Sequence, residues 1–301
     1  MEITVKDVKS RQELKQFIKF PNRLYKNNRY YVPPLFKSEI QTLSEKNPAF
    51  EVCEAKYWLA FVHNEIVGRV AGIIHHNYNQ KMDKKYVRFG WLDFIEDEEV
   101  LRKLMQAVES WALEKHAECI HGPLGFTTFD PSGMLIEGFN ERPTSFSHYN
   151  FPYYSEFIEK LGYKKDIDYL EYNIKVPESV PAKYTKTAEI IKKRYNLHSA
   201  ELNKKSDLLD YTGKIFQLVN LEYGNLYAFS ELTTNQLEAL KKQFISLLRL
   251  NYVSIVVNSA NEVVGIGICM PSLTRALQKS KGRLFPLGIF RILYALRKND
   301  T

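Results

Sequence analysis

Cysteine is scarce in this chain. There are three in 301 residues (Cys53, Cys119 and Cys269), odd in number, far apart and in no C-x-x-C pair. Such spacing builds neither a disulfide framework nor a zinc site, so no metal is expected and a reducing compartment is the default. Long apolar runs are missing too: no stretch approaches the ~18 uninterrupted apolar residues of a spanning helix, and no integral membrane segment is expected. The N-terminus, MEITVKDVKSRQE, is charged from residue 2 and lacks an apolar core. It does not read as a secretory signal, which leaves a soluble cytoplasmic protein as the expectation. H-E-x-x-H, G-x-x-x-x-G-K-[ST] and G-x-S-x-G are all absent, removing the metalloprotease, P-loop and hydrolase-elbow readings.

Acid is absent from one place in particular. Residues 275–298 hold Arg275, Lys279, Lys281, Arg283, Arg291, Arg297 and Lys298 with no carboxylate, and these equal the +7 of the whole chain. The remainder is neutral. Basicity confined to one segment is not the spread footprint of a nucleic-acid binder, so no nucleic-acid partner is expected.

What is present is core-forming material, 45% hydrophobic and 13% aromatic, enough for two domains or one large one. Residues 2–8 alternate as a strand, a helix fits 11–20 up to Pro21, and YYVPPL (30–35) is a rigid turn before a short helix at 35–44. Residues 57–63 and 66–74 make a hairpin, and 86–94 a strand with Gly90 inside it, as at a bulge. Val100, Leu101, Leu104, Met105, Val108, Trp111 and Ala112 form one helical stripe over 98–116, capped by Asp97. A strand at 119–121 leads into a long loop, 123–150. Pro152 and Gly162 bracket a helix, and 167–176 alternates as a final strand. Residues 177–187 read as a linker. Helices at 205–223 and 233–249 and a hairpin at 253–258 and 262–270 then restart the plan: Glu65-Ile66-Val67-Gly68 is matched by Glu262-Val263-Val264-Gly265. The expected organisation is a domain over 1–176 and a second, incomplete unit over 188–301.

This order resembles the GNAT acyl-coenzyme-A transferases, whose fold ends in a KLGF/Y turn like that in FIEKLGYKKDIDYLEYNI (157–174). YYVPPL, KNPAF (46–50), VGRVAGIIHHNYN (67–79), RFGWLDFIEDEEV (88–100), GPLGF (122–126), GMLIEGF (133–139) and NFPYY (150–154) resemble, more narrowly, a bacterial family of tandem GNAT-like proteins. The resemblance implies an α/β fold: a mixed, mostly antiparallel sheet flanked by helices, followed by a second partial GNAT-like unit. It further implies acetyl-coenzyme A or another acyl-coenzyme A as donor, a small-molecule amine as acceptor, and direct transfer. In that fold the main chain of Gly90, Trp91, Leu92 and Asp93 would hold the donor. The sequence departs from the pattern in two places. Glu96-Asp97-Glu98-Glu99 replaces the glycine-rich pyrophosphate loop, where carboxylates complement a helix dipole but repel phosphate. Ile158 stands where many relatives keep a proton-donating tyrosine, leaving Tyr154, one turn earlier, as a substitute or as core.

The 123–150 loop lies on the acceptor side of such a fold. His148 and Glu137 are its candidate bases, and Asp130, Asn150 and Tyr153 its candidate substrate contacts; capping and surface exposure are the plain alternatives. A ligand-binding or scaffolding protein that has lost the pyrophosphate loop is the rival reading, and a homo-oligomer is compatible with both. KGRLFPLGIFRILYALRK (281–298) mixes cations with apolar residues. It reads either as a membrane-surface helix, limited to about 289–298 by Pro286 and Gly288, or as packing with its cations solvated.

Overall fold

The computed structural model describes residues 2–245 and 247–298. The chain begins β1 (Ile3–Asp7), α1 (Arg11–Leu24), α2 (Phe36–Leu43), β2 (Cys53–Val62), β3 (Glu65–His75), α3 (His76–Met82) and β4 (Tyr86–Phe94). It continues α4 (Glu98–Glu114), β5 (Cys119–His121), α5 (Tyr153–Lys160), α6 (Ala182–Arg194), β6 (His198–Ser199) and α7 (Lys205–Tyr223). Last come α8 (Thr234–Ile245), β7 (Val253–Val257), β8 (Val263–Ile268), α9 (Thr274–Ser280) and α10 (Gly288–Arg297). Two units result. The first takes residues 2–168, 228–230 and 271–298, the second 169–227 and 231–270. Residues 271–298 thus lie with the first unit, whereas the sequence reading groups them with 188–270.

The first unit is a mixed, mostly antiparallel sheet in the order β1-β2-β3-β4-β5, with only β4 and β5 parallel. Both faces of its central strands are covered. Trp58, Ala60, Val70 and Ile74 pack on the apolar stripe of α4. Their neighbours Tyr57, Leu59, Ala71 and Ile73 pack on Phe17 and Ile18 of α1 and Leu43 of α2, which is the period of two expected of a strand. Gly72 lets α4 approach: a Cβ there would lie 2.8 Å from the Trp111 ring. α1 starts with a capping box between Ser10 and Glu13 and runs through Pro21 to Leu24 instead of stopping. A proline in a helix strands the carbonyl four residues earlier; that carbonyl, on Phe17, accepts from Arg69 Nη1 at 3.0 Å. α9 and α10 close the unit. Ala276, Leu277 and Ile292 pack with Val32 and Leu35, Gln278 Nε2 donates to the carbonyls of Arg29 and Tyr31, and Phe36 N donates to Gly282 O.

The second unit has a three-stranded antiparallel sheet, β6-β7-β8, packed on Leu208 and Ile215 of α7. The order strand, helix, helix, short 3-10 turn, hairpin recurs from the first unit. So does a detail of register: Gly68 faces Ala60 and Gly265 faces Val256, each beside a one-residue slip.

One element differs from expectation. The alternating segment 167–176 forms no strand; Tyr169, Leu170, Tyr172, Ile174 and Val176 are all exposed. Alternation specifies which residues share a face, but a strand exists only when a neighbour takes its hydrogen bonds. α6 also begins within the stretch that reads as a linker, and none of its residues is buried.

Candidate functional site

The site grows out of a fault in β4. Arg69 of β3 faces Asp93 and Ala71 faces Gly90, so Trp91 and Leu92 together stand opposite one residue of β3. Trp91 takes up the slip with φ +45°, costly for a residue with a side chain. The bulge therefore falls one residue past Gly90, which serves a different end: a Cβ on it would lie 2.3 Å from Leu124 O. Leu124 N donates to Phe89 O at 2.8 Å, so the chain leaving β5 follows β4 only as far as the slip.

Beyond the slip a polar cluster fills the interior. Asp93 is fully buried. Its carboxylate accepts from Arg69 through Nε at 2.8 Å and Nη2 at 2.7 Å, and from the Tyr25 hydroxyl at 2.8 Å. Tyr25 and Tyr154 share a hydrogen bond of 2.8 Å. Tyr154 Oη also accepts from Phe94 N at 3.1 Å, and Tyr153 Oη donates to Phe94 O at 2.6 Å. Two phenols of α5 thus take both main-chain polar groups of Phe94. Burial, reinforced by the Asp93 charge, holds the Tyr25 and Tyr154 phenols far above their ordinary pKa; both stay protonated.

On the α2 side of the slip, Trp91 Nε1 donates to Glu39 Oε2 at 3.0 Å. Asp130 accepts from Thr127 N at 2.8 Å and from the Thr127 hydroxyl at 3.2 Å. Burial raises the Glu39 carboxyl; Arg69 and the Trp91 indole oppose it, while Asp130 and Asp93 add to it. Burial raises Asp130 as well, against its bonds to Thr127 and Phe126 and the charge of Arg88. His148 moves the opposite way: burial lowers it, Asp93 opposes and Arg69 reinforces. The imidazole is neutral at neutral pH. Glu39 and His148 both feel the buried Arg69–Asp93 pair, and Glu39 also feels Asp130; two carboxylates of raised pKa and a neutral histidine are suited to hold an ammonium group and remove its proton.

Other candidates occupy different surroundings. Glu137 is exposed beside the turn at Gly138. Asn150 is buried and committed to main chain, accepting from Leu135 N at 2.6 Å and donating to Leu135 O and Phe151 O at 3.0 Å. Leu92 points into the core with α4. Glu39, Arg69 and Tyr25 escape the sequence reading; a charge inside the apolar strand IVGRVAGII was the available signal, because arginine is seldom buried without a partner.

The residues at the start of α4 do not fit a coenzyme A diphosphate. Asp97 Oδ1 already accepts from Glu99 N at 2.9 Å and Val100 N at 3.3 Å, filling the seat where a helix would bind an anion. Glu98 and Glu99 add negative charge and are paired with Arg102 at 2.8 and 3.2 Å. A hollow of about 360 Å³ beside them is lined by Leu24, Ile95, Glu96, Phe151, Pro152 and Tyr153, with no cation.

No family model matches the chain. It is 28% identical to "Protein YghO" of Escherichia coli over 291 residues, 96% of this chain and 73% of that protein. It is 26% identical over 306 residues to the "Bacterial ceramide synthase" of Caulobacter vibrioides, covering 98% of this chain and 77% of that one. Among solved structures, an aminoglycoside acetyltransferase from an uncultured soil metagenomic sample matches 57% of this chain and 97% of its own, at 12% identity and a TM-score of 0.36. The fold assignment rests on the strand order and the slipped β4 described above.

Proposed function

We propose that this chain, whose first unit has the GNAT fold, transfers an acyl group directly onto an amine. The observation that carries the reading is the slip at Trp91-Leu92, whose displaced indole donates to the Glu39 carboxylate; Asp130 adds to the rise of Glu39, and His148 feels the same Arg69–Asp93 pair. Main-chain N–H groups released by such a slip can polarise an acyl carbonyl. Glu39 and Asp130 attract the ammonium form of the acceptor, and His148 takes one proton so that the lone pair can attack; the C–N bond forms as the thioester C–S bond breaks, and the departing thiolate takes the second proton shed by the nitrogen. Tyr154 keeps its hydrogen bonds to Phe94 N and the Tyr25 hydroxyl, with a longer one of 3.4 Å to Asp93, and positions the strand. The two cysteines of the first unit argue against an acyl-enzyme detour there: burial pushes Cys53 up to about 12 and raises Cys119 as well, and a thiol acts as a nucleophile only as thiolate. A relative named for a ceramide, which is an amide, supports nitrogen as the acceptor atom.

The donor is an acyl thioester. Coenzyme A as its carrier would have to place its diphosphate away from α4. That mismatch favours the second reading, a GNAT-fold binding protein without chemistry. One experiment separates them: thiol release from acetyl- and long-chain acyl-coenzyme A, measured with a panel of amines and alongside calorimetric titration of the donor. Amine-dependent thiol release supports transfer. Absence of both heat and release at millimolar donor leaves the binding protein standing.

A further inference from the structure

The seven cations between Arg275 and Lys298 are all exposed, and large apolar side chains of the same segment are exposed too. Phe285 is 78% exposed, Leu287 58%, Phe290 66%, Leu293 46% and Tyr294 59%. α10 is therefore apolar on two opposite sides. One side, Ile292 with Ala295 and Leu296, packs with α9, Val32 and Leu35. At 100° per residue Leu287, Phe290, Leu293 and Tyr294 fall on the other side, flanked by Arg291, Arg297 and Lys298. The packed side fixes the helix, and nothing in the first unit covers the second side among the described residues.

We infer that the α9–α10 segment is a docking surface for an anionic lipid bilayer. Charge complementarity selects this occupant. The segment carries the whole net positive charge of the chain with no acid, as a negatively charged surface requires. Exposed phenylalanine and leucine gain nothing from the phosphates of a nucleic acid but insert favourably at the boundary between headgroups and acyl chains. The mode is peripheral: a ten-residue helix spans only about 15 Å, half of a ~30 Å hydrocarbon core. Gln278 of α9 holds the carbonyls of Arg29 and Tyr31, and Tyr31 stacks on Tyr25 of the Asp93 cluster with ring centres 4.5 Å apart. The docked face is thereby tied to the proposed acceptor side, although the inference holds whether or not that side performs transfer.

The test is co-sedimentation of the full chain with phosphatidylglycerol and with phosphatidylcholine vesicles, at low and high salt. Binding is expected with phosphatidylglycerol at low salt, weaker at high salt and absent with phosphatidylcholine. The exposed triple substitution Arg275→Gln, Lys279→Gln, Arg283→Gln is expected to lower partitioning about 100-fold, near fivefold for each cation. Phe290→Ser with Leu293→Ser lowers it at least about tenfold, with thermal melts of both variants unchanged. No sedimentation with phosphatidylglycerol, equal binding to both lipids, or full binding by the triple variant overturns the inference. So does a dimer in light scattering that Phe290→Ser with Leu293→Ser dissolves, since a second copy would then own the face.

Discussion

Replacing Asp97 and Glu98 together by glycine separates two consequences of one carboxylate cluster. The first is stability. Asp97 caps α4 through two hydrogen bonds, and glycine, itself a fair cap, gives up only a few tenths of a kcal/mol there. Glycine at Glu98, the first helical residue, adds up to about 1 kcal/mol, and its exposed pairing with Arg102 adds little. A loss of about 1 kcal/mol lowers Tm by about 2–4 °C in a unit of this size. The second consequence is electrostatic. Two unit charges about 5 Å apart repel by about 0.8 kcal/mol in water and about 3 kcal/mol at an effective dielectric of 20. Removing two carboxylates from the seat that now excludes a diphosphate should therefore open it and tighten coenzyme A binding at least about tenfold. Calorimetric titration of coenzyme A and a thermal melt on the same sample measure both. A melt that shifts as expected with unchanged affinity refutes the reasoning, because the cap would be shown altered while the ligand ignored it.

Three further outcomes follow from the site and its surroundings. Asp93→Asn leaves the buried Arg69 guanidinium without its counter-charge and is expected to cost about 3–5 kcal/mol in urea unfolding; a loss under 1 kcal/mol would mean that water reaches the pair. His75 is buried, accepts from Tyr78 N, and is pushed down to about 3 by burial, with Arg88 adding to it. Its neutral form is the native one, so its contribution to stability is complete above pH 6.5 and declines as pH falls toward 3, by about 1.4 kcal/mol per pH unit. His75→Asn, which keeps an acceptor for Tyr78, should flatten stability against pH by that slope between pH 6 and 4, and an unchanged slope would contradict it. His148→Gln is expected to slow amine-dependent thiol release about 10²–10⁴-fold with an unchanged melt, and to remove the acidic limb of the rate profile; retention of that limb would assign the base elsewhere.

Local rules made most of the first unit legible. The stripe of α4, the strand of Cys119–His121 and the glycine-bearing β4 all follow from periodicity and breakers. Pro21 misleads because the helix continues only with help from Arg69, a residue 48 positions later that local pattern cannot see. The 167–176 segment misleads for a related reason: alternation is a property of the sequence, pairing a property of the neighbourhood. The residues of the candidate site differ in how far the sequence alone singles them out. Asp130 and His148 stand out as polar residues in a long loop. Glu39 does not, because α2 is short and its partner, the Trp91 indole, arrives from a distorted strand 52 residues later.

The noncontiguous make-up of the first unit bears on how the molecule would respond to scission. Residues 177–181 are fully open to a protease, yet the piece running from Pro271 onward is gripped by the Arg29, Tyr31 and Pro143 carbonyls and the Phe36 amide. A nick there should give two bands on a denaturing gel and a single mass under native conditions. Covalent continuity and structural integrity are separate properties in this chain, and the first can be lost without the second.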